Sequence, residues 1–178
     1  YTHLVLNEGE LSLEPLRFGV AGGKLDAQIR LNGRSTPLVG RAKLTARNFK
    51  LKQLFPTFEP MKTSFGELNG DAEISGRGNS VAKLLGTSNG GLKMIVNDGA
   101  ISRSLMEIAG LNVGNYIVGK IFGDEDVKIN CAAADVGIKN CLATSQLFVF
   151  DTENAIIYID GTANLATEQL DLKITPES

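Results

Sequence analysis

The side chains that could do chemistry in this 178-residue sequence are few and scattered. His3 is the sole histidine, and no nucleophile motif accompanies it, so general acid–base catalysis lacks a partner. Ser102, Ser104 and Ser145 lack the Gly-x-Ser-x-Gly setting that exposes a nucleophilic serine. Asp124-Glu125-Asp126 offers carboxylates to a cation, but such a run is ordinarily a solvated loop. Gly19 to Gly23 lacks the Gly-Lys-Ser/Thr ending of a phosphate loop and leads into a strand pattern, not a helix. Cys131 and Cys141, with only His3 besides, cannot assemble four metal ligands. A hairpin turning near Val136 would bring the two cysteines together and permit a disulfide; a turn near Asn140 would not. The sequence therefore predicts no enzyme, no catalytic residue, no metal and no cofactor.

Composition narrows the class further. The chain is 43% hydrophobic with 6% aromatic residues and no Trp, enough to bury a core, and its 20 Gly against 5 Pro suit a turn-rich β protein. A net charge of -2 gives no reason to expect nucleic acid, which favours a concentrated basic face. No apolar run approaches the roughly 18 to 20 residues that span a bilayer, and the first residues carry no signal-peptide pattern. Tyr1 opens directly into strand-like sequence, so we expect a segment whose targeting elements lie upstream.

The elements that position these residues follow from periodicity. Leu25, Ala27, Ile29 and Leu31 alternate with Lys24, Asp26, Gln28 and Arg30, which puts the apolar set on one face of a strand. Leu11 and Leu13, Ala42, Leu44 and Ala46, and Leu92, Met94 and Val96 repeat the pattern. Asn32-Gly33, Asn69-Gly70, Asn89-Gly90, Asp98-Gly99 and Asp160-Gly161 read as tight hairpin turns between such runs. The period is lost over Leu51 to Pro60, where a short helical turn is expected. Ser80 reads as the N-cap of Val81 to Leu85, with Gly86 as its stop. Helices are expected over Ser102 to Gly110 and Asn115 to Phe122, either capping the sheet or touching a membrane or partner; Glu107, Asp124, Glu125 and Asp126 oppose anionic lipid. From Val127 onward the chain returns to strands. The expected fold is mainly β: a curved antiparallel sheet, groove-like or half-barrel-like, with two or three short helices packed at one end.

Within this order, Asn89-Gly90-Gly91-Leu92, Asn97-Asp98-Gly99-Ala100-Ile101, Val127 to Ala134, Phe150-Asp151-Thr152 and Ile159 to Pro176 form a recognisable series. It resembles the C-terminal region of the AsmA family of bacterial envelope proteins, with the likeness beginning near Leu11 and most specific from Asn89 to Pro176. One departure is Asn140-Cys141, where the family tends to place Asp-Gly or a similar turn pair. The family pattern favours the later turn for the two cysteines.

The resemblance implies residues 1–178 as a single C-terminal β domain of a periplasmic protein held in the inner membrane by an absent N-terminal segment. It also implies kinship with long β-groove proteins, TamB among them, that handle phospholipid and support outer-membrane assembly. On that reading Leu25, Ala27, Ile29, Leu31, Leu44, Leu92, Met94 and Val96 face a phospholipid or other acyl-chain lipid. The plainer reading makes them a dry core against helices. A runner-up function is an interaction module for envelope proteins, pairing through exposed edges at Leu4 to Leu6 or Leu170 to Ile174.

Overall fold

The computed structural model describes residues 3–54, 65–101, 127–153 and 155–177. They form one antiparallel sheet of ten strands whose spatial order is their chain order. The strands are β1 (Leu4–Asn7), β2 (Glu10–Val20), β3 (Gly23–Asn32), β4 (Val39–Lys50), β5 (Phe65–Arg77), β6 (Asn89–Ile101), β7 (Val127–Lys139), β8 (Leu142–Thr152), β9 (Ile156–Asn164) and β10 (Gln169–Glu177). β1 pairs only with β2 and β10 only with β9, so the sheet stays open and does not close into a barrel.

Two helices are described, α1 (Leu51–Leu54) and α2 (Val81–Leu85). They follow consecutive antiparallel strands and so stand at opposite ends of the sheet, not together at one end. Ser80 caps α2 as its residue type predicts: its hydroxyl accepts from the Lys83 N–H at 3.2 Å. Leu84 of α2 packs so closely over Gly76 that a Cβ there would lie 2.1 Å from the Leu84 carbonyl oxygen. The helices expected over 102–110 and 115–122, and the rest of the turn expected through Pro60, lie outside the described residues.

The hairpin turns differ from the expected ones. The two-residue turns are Glu8-Gly9, Ala21-Gly22 and Asn140-Cys141, with φ of 47° and 86°, 49° and 73°, and 48° and 62°. Positive φ at both residues is the twist-matched hairpin geometry, here built largely without Asn-Gly or Asp-Gly. Of the predicted turn pairs, Asn32-Gly33 does end β3, and Asn89-Gly90 opens β6. Asn69-Gly70, Asp98-Gly99 and Asp160-Gly161 lie inside strands. Asn69 uses its side-chain oxygen to accept from the Asn48 N–H at 2.9 Å, at the bulge where β4 slips between Ala46 and Phe49. Asp98, at φ 44°, lies at the irregularity of the β5–β6 ladder, where Gly66 alone on β5 stands against Asp98 and Gly99 on β6. Gly161 lies at φ 152°, and a Cβ there would stand 2.1 Å from the Asp171 carbonyl oxygen. These glycines permit close backbone approach within the sheet.

The turn at Asn140-Cys141 also decides the cysteines. Cys131 lies in β7 and Cys141 beyond its end, so at about 3.3 Å per residue they stand tens of ångströms apart. Both thiols are free, and the bridge that a turn near Val136 would have allowed does not form.

At one end of the sheet the connections are tied in series. Gly33 N–H donates to the Gly9 carbonyl at 2.9 Å, and the Arg34 guanidinium also reaches the Glu8 carbonyl and carboxylate. Gly78 N–H donates to Leu38 O at 2.8 Å, Cys141 N–H to Ser88 O at 2.9 Å, and Leu165 N–H to Cys141 O at 2.9 Å. Every connection at that end is thus bonded to the next one along the sheet.

Three outcomes follow from the glycine and cysteine geometry. At Gly90, φ is 148° and a Cβ would sit 1.9 Å from Glu73 O, so Gly90→Ala should cost about 2–4 kcal/mol by chemical unfolding. Gly19→Ala, with nothing within 4 Å, should change stability by less than about 0.5 kcal/mol. Cys141→Gly should raise stability by about 0.5–1 kcal/mol in the same assay, because relief of the left-handed conformation outweighs glycine's added chain entropy.

Candidate functional site

Strand pairing converts the period-two pattern into a surface. Leu4, Leu13, Ile29, Ala42, Ile74, Gly90, Ile138, Ala143, Ala163 and Leu170 are successive ladder partners across all ten strands. A row without one polar side chain therefore crosses the whole sheet. Parallel rows on the same face hold Leu16, Ala27, Leu44, Ala72, Leu92 and Val136, then Phe18, Leu25, Ala46, Gly70, Met94, Ala134 and Phe148.

All the residues expected to be lipid-facing fall on this one face. Leu25, Ile29, Leu31, Leu44, Leu92, Met94 and Val96 are half-buried there, and Ala27 is buried. Burial deepens towards β7 and β9, where Ala132, Ala134, Ile157 and Ile159 are buried, and lessens at the edges. Leu6 on β1 remains 71% exposed and Leu170 on β10 63%. Among the described residues the only helices are of 4 and 5 residues, too little to form a second layer over ten strands.

The opposite face is polar in the same register. Gln28, Lys43, Glu73, Gly91, Gly137, Thr144, Thr162 and Asp171 are successive partners from β3 to β10. Ion pairs lace it: Arg17–Asp26 at 3.2 Å, Arg30–Glu14 at 2.5 Å, Arg47–Asp71 at 3.1 Å and Lys93–Asp135 at 3.9 Å. The hydrogen bond from Arg30 holds the Glu14 carboxyl below its ordinary range, and the bonds from Arg47, helped by Thr45, do the same for Asp71. A hollow of about 770 Å³ opens on this face over β3 to β7, floored by bare backbone at Gly91 and walled by Arg30, Arg41, Lys43, Glu73, Lys93 and Asp135. Alternation along β3 placed Gln28 and Arg30 away from the apolar set, but the hollow itself depends on which strands are neighbours. Sequence period carries no signal for that.

Among the described residues, no group of three or more His, Cys, Asp or Glu is placed to hold a metal ion. No helix among them is long and apolar enough to cross a membrane. The described residues present a two-sided sheet: non-directional burial on one face and charge-assisted hydrogen bonding on the other.

Comparison with known proteins identifies the family. The model of the AsmA family matches residues 1–148. AsmA family protein YhjG of Escherichia coli (strain K12) is 59% identical over 177 residues, which is 99% of this chain and 26% of that protein. The chain thus spans about a quarter of the length of the curated relative it matches. The family match begins at the first residue, ahead of the expected start near Leu11, and ends before Phe150-Asp151-Thr152 and Ile159 to Pro176, so of the expected Asn89 to Pro176 series it covers the part up to residue 148. No solved structure matches.

The polar face makes a prediction about acid. Carboxyls whose folded values are depressed give stability that is present above their unfolded range and is lost as pH falls through the folded values. A chain carrying Glu14→Gln and Asp71→Asn should therefore lose less stability than the parent between neutrality and about pH 3. Thermal midpoints measured across that range check it; parallel curves would contradict it.

Proposed function

The chain belongs to the AsmA family, and on that premise we propose that its apolar sheet face is a segment of a lipid-handling groove, non-enzymatic in action. Family membership supports an envelope-associated protein. The proposal adds a periplasmic position, an inner-membrane anchor outside this segment, and a part in moving phospholipid towards the outer membrane.

The observation that carries this reading is the uninterrupted apolar row from Leu4 to Leu170. A compact domain that used those residues as an ordinary core would need a second layer of comparable area, and the described helices total only nine residues, 4 and 5. Acyl chains fit such a face without specific contacts. Each buried methylene contributes about 0.8 kcal/mol, so five give about 4 kcal/mol, a millimolar-scale attraction before association costs. Affinity of that order holds a chain and still releases it, as conduction requires. Headgroups would remain at the margins of the sheet, in water.

A second reading rests on the edges. Leu4 at 62% and Leu6 at 71% exposure on β1, and Leu170 on β10, border unpaired backbone that a strand of an envelope partner could extend.

Strand alternation supplies the control for a test. Photo-crosslinking residues at Leu44, Leu92 or Met94 should yield lipid adducts in cells producing the full-length protein, whereas Thr144 or Thr162, on the polar face and away from the hollow, should yield none. Protein adducts at Val5 or Asp171, with no lipid at the apolar positions, would replace the groove by the edge-pairing module.

A further inference from the structure

Arg30 on β3 and Arg41 on β4 are direct ladder partners on the polar face. Like charges in directly opposed positions repel and weaken strand pairing. Arg30 is answered by Glu14, which accepts from its Nε at 2.5 Å. Arg41 has no ion-pair partner among the described residues. Its other ladder partner is Ser75, whose hydroxyl makes only a 3.5 Å bond to the Asn89 carbonyl.

Three of the carboxylates around the hollow are already committed to ion pairs. Glu14 serves Arg30, Asp71 serves Arg47, Asp135 faces Lys93 at 3.9 Å, and Glu73 is the ladder partner of Lys43. Among the described residues Arg41 and Lys43 are the cations of the hollow outside these ion pairs, and of the two only Lys43 has a carboxylate, Glu73, as a ladder partner. Both arginines line the large hollow and also a second one of about 200 Å³ beside it, where Glu10 faces them, so they form the divide between two concavities.

We propose that Arg30 and Arg41 together hold a phosphate-class anion, a phosphate monoester or diester, on the polar face of the sheet. Two planar guanidinium forks approaching from opposed strands suit an oxyanion that can accept several N–H bonds at once. The anion cancels the repulsion between the arginines, and the Ser75 hydroxyl stands beside it as a further donor. This site is independent of the apolar face and of the groove reading.

The test titrates inorganic phosphate into the isotope-labelled chain at constant ionic strength and follows the Arg30 and Arg41 signals by NMR. Saturating shifts at Arg30, Arg41 and Ser75 are expected. Arg41→Gln should weaken binding at least tenfold, while Arg47→Gln, at the arginine paired with Asp71, should leave it within twofold. Non-saturating shifts, or equal affinity in the Arg41→Gln chain, overturn the site for soluble phosphate. Sedimentation with phosphatidylcholine vesicles, with and without phosphatidic acid, separates the sources. Arg41-dependent capture by the anionic vesicles assigns the site to a lipid headgroup, and phosphate saturation without such capture assigns it to a soluble phosphate compound. Failure of both removes the proposal. Because Arg41 is exposed and faces a like charge, Arg41→Gln should fold, which circular dichroism verifies.

Discussion

Cross-strand register is the constraint on which the rest of this molecule depends. A strand's side chains alternate with a period of two, so slipping one strand by one residue would move its whole apolar set to the wrong face. Ten strands hold their sets in phase, although six register shifts interrupt the ladders, between Leu13 and Leu16, Ala46 and Phe49, Phe65 and Glu67, Ile129 and Cys131, Asp135 and Val136, and Thr144 and Val149. Each shift bends a strand and adds twist without letting a polar side chain into the main apolar row. The two-sided surface is a product of phase, and any ligand the apolar face takes depends on that phase being kept.

The fold was largely legible in the sequence because alternation is a local signal. Leu25 to Leu31 and Leu92 to Val96 announce their faces within a few residues, and Ser80 and Gly86 announce α2 equally locally. The failures share one cause. Asn69-Gly70, Asp98-Gly99 and Asp160-Gly161 have turn chemistry in isolation, but their positions are fixed by what lies on the neighbouring strand. Asn69 answers the backbone of Asn48 across a bulge, and Gly161 yields space to Asp171 and Leu172. Conversely, Asn140-Cys141 is a real turn in which a side chain occupies a conformation that glycine holds more easily. A residue type states what backbone it tolerates; the sheet decides where that tolerance is used.

The candidate sites divide in the same way. The apolar residues could be named from the sequence because membership of a face is a matter of parity. The Arg30–Arg41 juxtaposition could not, because it requires knowing that β3 and β4 pair with these residues opposed. The two faces also work by different physics. Burial on the apolar side is additive and tolerant of ligand shape, whereas guanidinium recognition on the other side is directional and sensitive to salt. One sheet can therefore present two chemistries without either interfering with the other, its own backbone being the partition between them.

Strand order equal to chain order has a kinetic and mechanical meaning. Most ladders join consecutive strands through short connections, so little loop entropy is lost before each pairing is rewarded. The sheet then behaves nearly as a one-dimensional array, each strand stabilised by its two neighbours, with the tied connections at one end adding coupling between next-nearest hairpins. Such an array opens from its ends inward. The exposed edge strands exchange and fray first, while the central strands around Ala132 and Ile157 hold longest. A surface of this kind lengthens or shortens by whole strands, and its capacity scales with their number.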